Sequence, residues 1–103
     1  MRVPVADLEA LVTDELGHVY EVRAFGVDLQ DGFWDGFLEF VLHDDDSVLV
    51  TPRETTHASL PDLVYWATAL DAAYLDRALA RARSAGPEIG RSPRRVRRAA
   101  PRT

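Results

Sequence analysis

Apolar residues at the start of the chain have helical spacing. Four large ones recur one, three or four positions apart: Leu8, Leu11, Val12 and Leu16. Pro4 suits a first helical turn and Gly17 suits a C-terminal stop. The pattern therefore predicts a short helix over residues 4–16, with a strand as the weaker alternative.

After His18 the period changes to the alternation that is typical of strands. Three such runs cover residues 18–27, 33–42 and 48 to about 55. Asp31-Gly32 has turn chemistry, and three consecutive Asp residues form a loop before the last run. These runs predict a three-stranded antiparallel sheet.

Matching apolar residues across the strands predicts their register. Phe40 is expected opposite Val50 and Leu42 opposite Val48, while Val22 is expected opposite Leu38. One face of the sheet is then apolar: Tyr20, Val22, Ala24, Trp34, Leu38, Phe40, Leu42, Val48 and Val50. The other face mixes charged residues with Phe25, Phe37 and Val41.

A helix after Ser59 provides the cover that a small sheet needs. Ser59 suits an N-cap, and Pro61 suits the first turn. The apolar stripe drifts around the helix, which predicts a bend or break near Ala69–Ala73. The predicted fold class is α+β: a three-stranded antiparallel sheet packed against a long bent C-terminal helix, with a short N-terminal helix. The domain spans 1–85, and 86–103 forms a disordered Arg-rich tail.

Composition narrows the protein class. The chain of 103 residues fits one domain and contains no Cys, which excludes disulfides, thiolate nucleophiles and Cys-based zinc sites. It contains neither a signal-peptide core nor an apolar run long enough to span a membrane. We therefore expect a cytoplasmic protein that needs no cofactor.

Charge is split along the chain. Through Ala80, 4 Arg stand against 16 acidic residues, whereas 8 Arg follow against Glu88 alone. The formal net charge of −5 therefore hides an acidic body and a basic tail. The arginines of the tail, above all Arg94, Arg95, Arg97 and Arg98, suit weak and sequence-independent nucleic-acid binding.

Three motifs resemble those of a known family. Trp34–Phe40 matches a W-x-G-x-L-E-F segment, Arg53–Thr56 an R-E-T-T segment and Tyr65–Ala67 a Y-W-A helix. In this order they resemble a family of small uncharacterised bacterial proteins, over roughly residues 33–80. The resemblance implies a small domain with these boundaries, and it implies no activity or catalytic residue.

The densest polar stretch lies where the third predicted strand leaves the sheet. Arg53, Glu54, Thr55 and His57 suit a binding site, with Arg53 as an anion ligand and Glu54 or His57 as proton carriers. The structural alternative is a set of surface ion pairs, including Arg53 with Glu39, and of helix-capping hydroxyls.

Metal binding is not favoured by the sequence. The segment His43-Asp44-Asp45-Asp46 lacks the glycine and distal glutamate of an EF-hand loop, so it suits a solvated turn. No two of the three histidines have a local ligand spacing.

The apolar residues on the second sheet face, Phe25, Phe37 and Val41, need a cover. Either the N-terminal helix or a second subunit provides it, and self-association is the favoured hypothesis. The function predicted overall is a non-catalytic interaction or accessory module. The alternatives are nucleic-acid association through the tail and a small enzyme that uses Glu54 or His57 as acid or base.

Overall fold

A computed structural model describes residues 2–85, in which five strands precede two helices. The strands are β1 (Arg2–Thr13), β2 (Val19–Asp28), β3 (Trp34–Leu42), β4 (Val48–Val50) and β5 (Thr55–His57). The helices are α1 (Leu60–Thr68) and α2 (Ala72–Ala85). All pairings are antiparallel, in the order β1-β2-β3-β4, and β5 also pairs with β3. The α+β class is thereby confirmed, with five strands in place of three. The predicted tail, 86–103, lies outside the described residues.

The predicted N-terminal helix is wrong, because this segment is the edge strand β1. Its pairing with β2 is interrupted twice, between Pro4 and Ala6 and between Asp7 and Leu11. Glu9 adopts a left-handed backbone with φ 51° inside the second irregularity, where the Asp7 carboxylate accepts its N–H at 3.1 Å. The first irregularity shifts the alternation of side chains along the strand, whereas the second leaves it unchanged. The helix-like spacing arises because Leu11, which belongs to the predicted apolar stripe, is 63% exposed.

The predicted register of the β3–β4 hairpin is also wrong, by one residue. Leu49 lies opposite Phe40, and Val48 lies opposite Val41. A shift of one residue moves a whole strand to the other face. Leu49 therefore packs against the core, where Val48 and Val50 were expected. The five-residue loop 43–47 sets this register through Asp46, whose φ of 61° and N–H bond to the Leu42 carbonyl close the turn.

The predicted β2–β3 register is wrong by two residues, which leaves the faces unchanged. Val22 pairs with Phe40 and Ala24 with Leu38. Because side chains alternate with a period of two, the same residues still face the core. Tyr20, Val22, Leu38 and Phe40 are at most 6% exposed, as the apolar pattern predicts.

The expected bend in the C-terminal helix is a complete break. The Ser59 hydroxyl caps α1 by accepting the Asp62 N–H at 3.2 Å, which confirms the predicted start. The chain leaves the α conformation at Ala69, and the Asp71 carboxylate caps α2 through the Tyr74 N–H at 2.8 Å. Two short helices with separate axes allow both parts of the drifting stripe to reach the core.

Both helices pack on one face of the sheet. Ala67 of α1 and Leu75, Ala78, Leu79 and Ala82 of α2 join the buried residues of β2 and β3 in one cluster. Leu63 of α1 packs directly on Gly26 and Gly36, which are cross-strand neighbours. A Cβ added to either glycine would lie 2.6 Å from a methyl group of Leu63. The glycines thus let α1 approach the sheet closely.

We call the opposite surface of the sheet the open face. Within residues 2–85 no helix packs on the open face. Its centre is formed by Glu21, Arg23, Phe25, Phe37, Glu39 and Val41. None of the helices in this range is long and apolar enough to cross a membrane.

Candidate functional site

The predicted site at the strand exit is built by a bulge between β4 and β5. Thr51 continues the ladder, since its N–H donates to the Leu38 carbonyl at 3.0 Å and its hydroxyl accepts the Leu38 N–H at 3.1 Å. Residues 52–54 then lie opposite Phe37 alone. The pairing with β3 resumes where the Glu54 N–H donates to the Gly36 carbonyl at 2.8 Å. Pro52 has no N–H for the ladder, so the strand cannot run on regularly.

Glu54 is turned toward the helices and is enclosed there. Its side chain is only 3% exposed. The carboxylate accepts a hydrogen bond from the Tyr74 hydroxyl at 2.6 Å and two from the Arg81 guanidinium, through Nε at 3.0 Å and through a terminal nitrogen. Glu54 therefore joins the strand exit to α2 through a bidentate ion pair, the strongest kind of side-chain contact available to it.

The ionisation of this cluster follows from its burial. Desolvation, followed by the hydrogen bond to Glu54, raises the pKa of Tyr74 to about 12. The hydrogen bonds to Glu54 raise the pKa of Arg81. At neutral pH the phenol is protonated and the guanidinium is charged. All three hydrogen bonds to the carboxylate are then in place, and Glu54 has no accessible position from which to exchange a proton with a substrate.

The other predicted binding residues point in different directions. Arg53 is exposed, and within residues 2–85 it has no ion pair. The Thr55 hydroxyl and His57 Nε2 lie 3.0 Å apart, and the His57 ring is 6.4 Å from that of Trp66 on α1. The structure thus pairs Thr55 with His57 and separates both from the solvent-facing Arg53 and the enclosed Glu54.

An aromatic stack lies on the open face instead. The rings of Phe25 and Phe37 are 5.1 Å apart and nearly parallel, at 10°. The Arg2 guanidinium lies 4.0 Å above the Phe25 ring, which is cation–π geometry. Phe25 is 6% exposed, whereas Phe37 is half-buried. The stack is therefore covered on one side by Arg2 and accessible on the other.

Charges of alternating sign border this stack. Glu39 pairs with Arg2 at 3.4 Å and with Arg23 at 3.7 Å. Arg23 also approaches Glu21 at 3.8 Å, and Glu21 lies 3.0 Å from His43. Arg23 and Glu21 are about half exposed, so their pair contributes little to stability, whereas the Glu39 side chain is only 17% exposed. The Arg23 and Glu21 side chains therefore remain available to other charged groups.

A groove of about 530 Å³ opens between β1 and β2 beside this stack. It coincides with the first irregularity of β1, between Pro4 and Ala6. Its volume is within the range of ligand-binding pockets. Its lining combines apolar and charged residues: Arg2, Pro4, Val5, Ala6, Asp7, Arg23, Ala24, Phe25 and Glu39.

The sequence pattern did not reveal the part played by Arg2. The expected ion pair between Arg53 and Glu39 is absent from the described residues, and Arg2 and Arg23 hold Glu39 instead. Placing Arg2 beside Glu39 requires β1 to be a strand paired with β2. Once residues 4–16 are interpreted as a helix, no sequence signal places Arg2 there.

A second polar centre, Asp14, was not predicted from the sequence. Its side chain is 2% exposed and accepts hydrogen bonds from the His18 ring at 3.0 Å and the Tyr20 hydroxyl at 3.1 Å, as well as from the backbone N–H groups of Leu16 and His18. Desolvation opposes ionisation, but these hydrogen bonds prevail and lower the pKa of Asp14 to about 2. The sequence did contain a signal for this turn. Asp14 and Gly17 occupy the first and fourth positions of a four-residue segment, where Asp and Gly are typical of a type I turn.

The acidic hairpin loop is a turn, as the sequence indicates. The Asp45 carboxylate accepts the Ser47 N–H at 2.9 Å, and this bond lowers the pKa of Asp45. Within residues 2–85, no three acidic or histidine side chains come together as a metal site would require. The predicted nucleic-acid residues of the tail lie outside the described residues.

No family model, curated protein or solved structure matches this chain. The resemblance to the small bacterial family stays a prediction. The function must therefore be argued from the residues themselves.

Proposed function

We propose that the protein is a non-catalytic interaction module, and that the open face of its sheet is the binding surface. The observation that carries the proposal is the aromatic stack of Phe25 and Phe37, accessible on one side and bordered by loosely paired Arg and Glu side chains. Interfaces combine such features: an aromatic centre, arginine and a polar rim. A face of this kind can bind a partner without a catalytic group.

The state of Glu54 weighs against the catalytic alternative. An acid or base has to reach the proton that it transfers. Glu54 is 3% exposed and is held by Tyr74 and Arg81, so its contacts are those of a structural residue. His57, the other acid–base candidate, lies beside Thr55 and Trp66 rather than beside Glu54.

Nucleic-acid association through Arg94, Arg95, Arg97 and Arg98 stays a separate prediction. It depends on residues beyond Ala85 and not on the sheet. Deletion of residues 86–103 tests it by fluorescence polarisation, because a tail-driven affinity for nucleic acid disappears with the tail and falls steeply with salt.

Carboxyl footprinting tests the interaction module. The protein is labelled with a carbodiimide and an amine at low concentration, in buffer and in an extract of its own cells, and labelling is read by mass spectrometry. We expect Glu21 to be protected several-fold in the extract, while Asp62 on α1 and Asp44 in the hairpin loop are labelled equally in both. A protease-treated extract is the matched control for viscosity and salt.

The variant Phe37→Gln sharpens this test. It removes one ring of the stack and leaves the ion pairs of Glu39 and Arg23 in place. We expect it to abolish the protection of Glu21. Equal labelling of Glu21 in buffer and extract, for an unaltered protein that is also monomeric when purified, contradicts the proposal.

A further inference from the structure

We propose that the open face binds a second copy of this chain, the two sheets facing each other about a two-fold axis that runs parallel to the strands, midway between β2 and β3. This inference rests on the proposed function, since it takes the open face as the interaction surface. It adds the identity of the partner and the residues that meet.

The argument begins with the register of β2 and β3. Arg23 is the direct cross-strand neighbour of Glu39, and Phe25 is that of Phe37. An axis midway between the two strands places β2 of one copy over β3 of the other. Each residue then faces the second copy's version of its own cross-strand neighbour, so that Arg23 faces Glu39 of the second copy.

The charges satisfy the condition that such symmetry imposes. A two-fold interface must be complementary to itself. In the proposed arrangement Arg23 faces Glu39 of the second copy, and Glu39 faces its Arg23, so opposite charges meet twice. A partner with charges of one sign would leave either the arginine or the glutamate opposed by a like charge, which interfaces avoid.

The side chains concerned are free to take part. Arg23 is about half exposed, at 49%, and its own ion pairs are 3.7 and 3.8 Å long. Phe37 is half-buried, so a facing ring covers it further. Phe25 is 6% exposed beneath Arg2, so Phe37, stacked on it at 5.1 Å, is the ring of each copy that meets the second sheet. Buried aromatic residues dominate the binding energy of many interfaces.

Charge reversal gives a test that separates the interface from the fold. Arg23→Glu and Glu39→Arg are made as two separate proteins. In a symmetric dimer of the first variant, glutamate faces glutamate, and in a dimer of the second, arginine faces arginine. In a mixed dimer every reversed residue faces its opposite. Both variants lose the internal Arg23–Glu39 pair equally, alone or mixed, so only an intermolecular contact is restored by mixing.

We expect the unaltered protein to dimerise in sedimentation velocity, and each variant to dimerise at least about tenfold more weakly. An equimolar mixture is expected to recover most of the original affinity, with native mass spectrometry showing the mixed species. Circular dichroism confirms that each variant is folded. If either charge reversal unfolds the chain, Arg23→Gln and Glu39→Gln replace it, and each is expected to weaken the dimer.

Three results overturn the inference. They are an unaltered protein that stays monomeric at its highest soluble concentration, a mixture no more associated than the separate variants, and a dimer that neither the charge-reversal variants nor their Gln replacements weaken. The footprinting experiment then separates the two proposals. If Glu21 is protected in extract while the purified protein is monomeric, the interaction module stands and the partner is a different molecule. If protection is absent as well, both proposals fail.

Discussion

The two faces of the sheet use similar residues in opposite ways. On the helix-covered face, polar groups are enclosed and their hydrogen bonds are short and complete, as with Glu54 beneath Tyr74 and Arg81. On the open face, Arg23 and Glu39 form a longer pair of 3.7 Å, in which Glu39 is 17% exposed against 3% for Glu54. A carboxylate–arginine pair is thus structural where short hydrogen bonds hold it under the helices, and its arginine stays available for binding where the pair is long.

Density of polar residues along the chain and their accessibility also differ. Polar residues are close together at the strand exit, in Arg53, Glu54, Thr55 and His57, but Glu54, one of the two acid–base candidates, attaches α2 to the sheet. The residues of the open face are spread over three strands and become neighbours only when the sheet forms. Density of polar residues along the chain is therefore a poor guide to where they are accessible.

The sharpest test of the comparison is truncation of one phenylalanine on each face. Phe40 is fully buried beneath the helices. Phe40→Ala leaves a cavity there and is therefore expected to lower the unfolding free energy by about 3–5 kcal/mol. Phe37→Ala, on the open face, is expected to cost about 1 kcal/mol, since its ring is partly in water already. Urea denaturation at low protein concentration measures both. Equal losses would mean that the open face is as much a core as the other.

A smaller effect distinguishes the carboxylates of the two faces. Glu54→Ala is expected to cost about 2 kcal/mol, less than a fully buried pair, because Arg81 is 41% exposed and regains water. Glu21→Ala on the open face is the matched control and is expected to stay within about 0.5 kcal/mol.

A second substitution at Glu54 has a spectroscopic signature. In Glu54→Gln the pKa of Tyr74 should fall from about 12, because the carboxylate no longer favours the protonated phenol. It should remain raised, since burial is the largest cause. Ultraviolet titration of the phenolate measures this. An unchanged titration would show that the hydrogen bond from Tyr74 to Glu54 does not form in solution.

The last expected effect is in the pH dependence of stability. Asp14 has its pKa lowered from 3.8 to about 2, so its contribution to stability is present above about pH 4 and is lost as the pH falls toward 2. Asp14→Asn should therefore lower stability at neutral pH and flatten the decline below pH 4. Asp45, whose pKa is lowered by its Ser47 hydrogen bonds, contributes in the same direction, so Asp45→Asn is expected to flatten the decline as well. A slope that Asp14→Asn leaves unchanged would contradict the assignment.

Most of the helix-covered face could be predicted from the sequence, for a local reason. Ser59 caps α1, and the drift of the apolar stripe predicts the break before α2. Alternation in β2 and β3 identifies the buried residues even though the predicted register is off by two, because the error is even. Each of these signals depends on residues that lie close together in the chain.

Most of the errors share a physical cause, which is irregularity in strands. The exposed Leu11 gives β1 its helix-like spacing, whereas the left-handed Asp46 shifts β4 by a single residue. The bulge at Pro52 likewise divides the third predicted strand and turns Glu54 toward Arg81. One inserted residue reverses every side chain beyond it, so an error that is small along the chain exchanges the faces of the sheet.

The sequence by itself determined the α+β class, the antiparallel sheet, the sites where the helices start and divide, and which residues of β2 and β3 face the helices. Only the tertiary structure decided that the N-terminus is an edge strand, that Leu49 rather than its neighbours faces the core, and that Arg2, Arg23 and Glu39 surround one aromatic stack. The first group follows from periodicity and capping, which are local. The second follows from pairing between distant segments, where bulges and loop geometry set a register that local pattern does not encode.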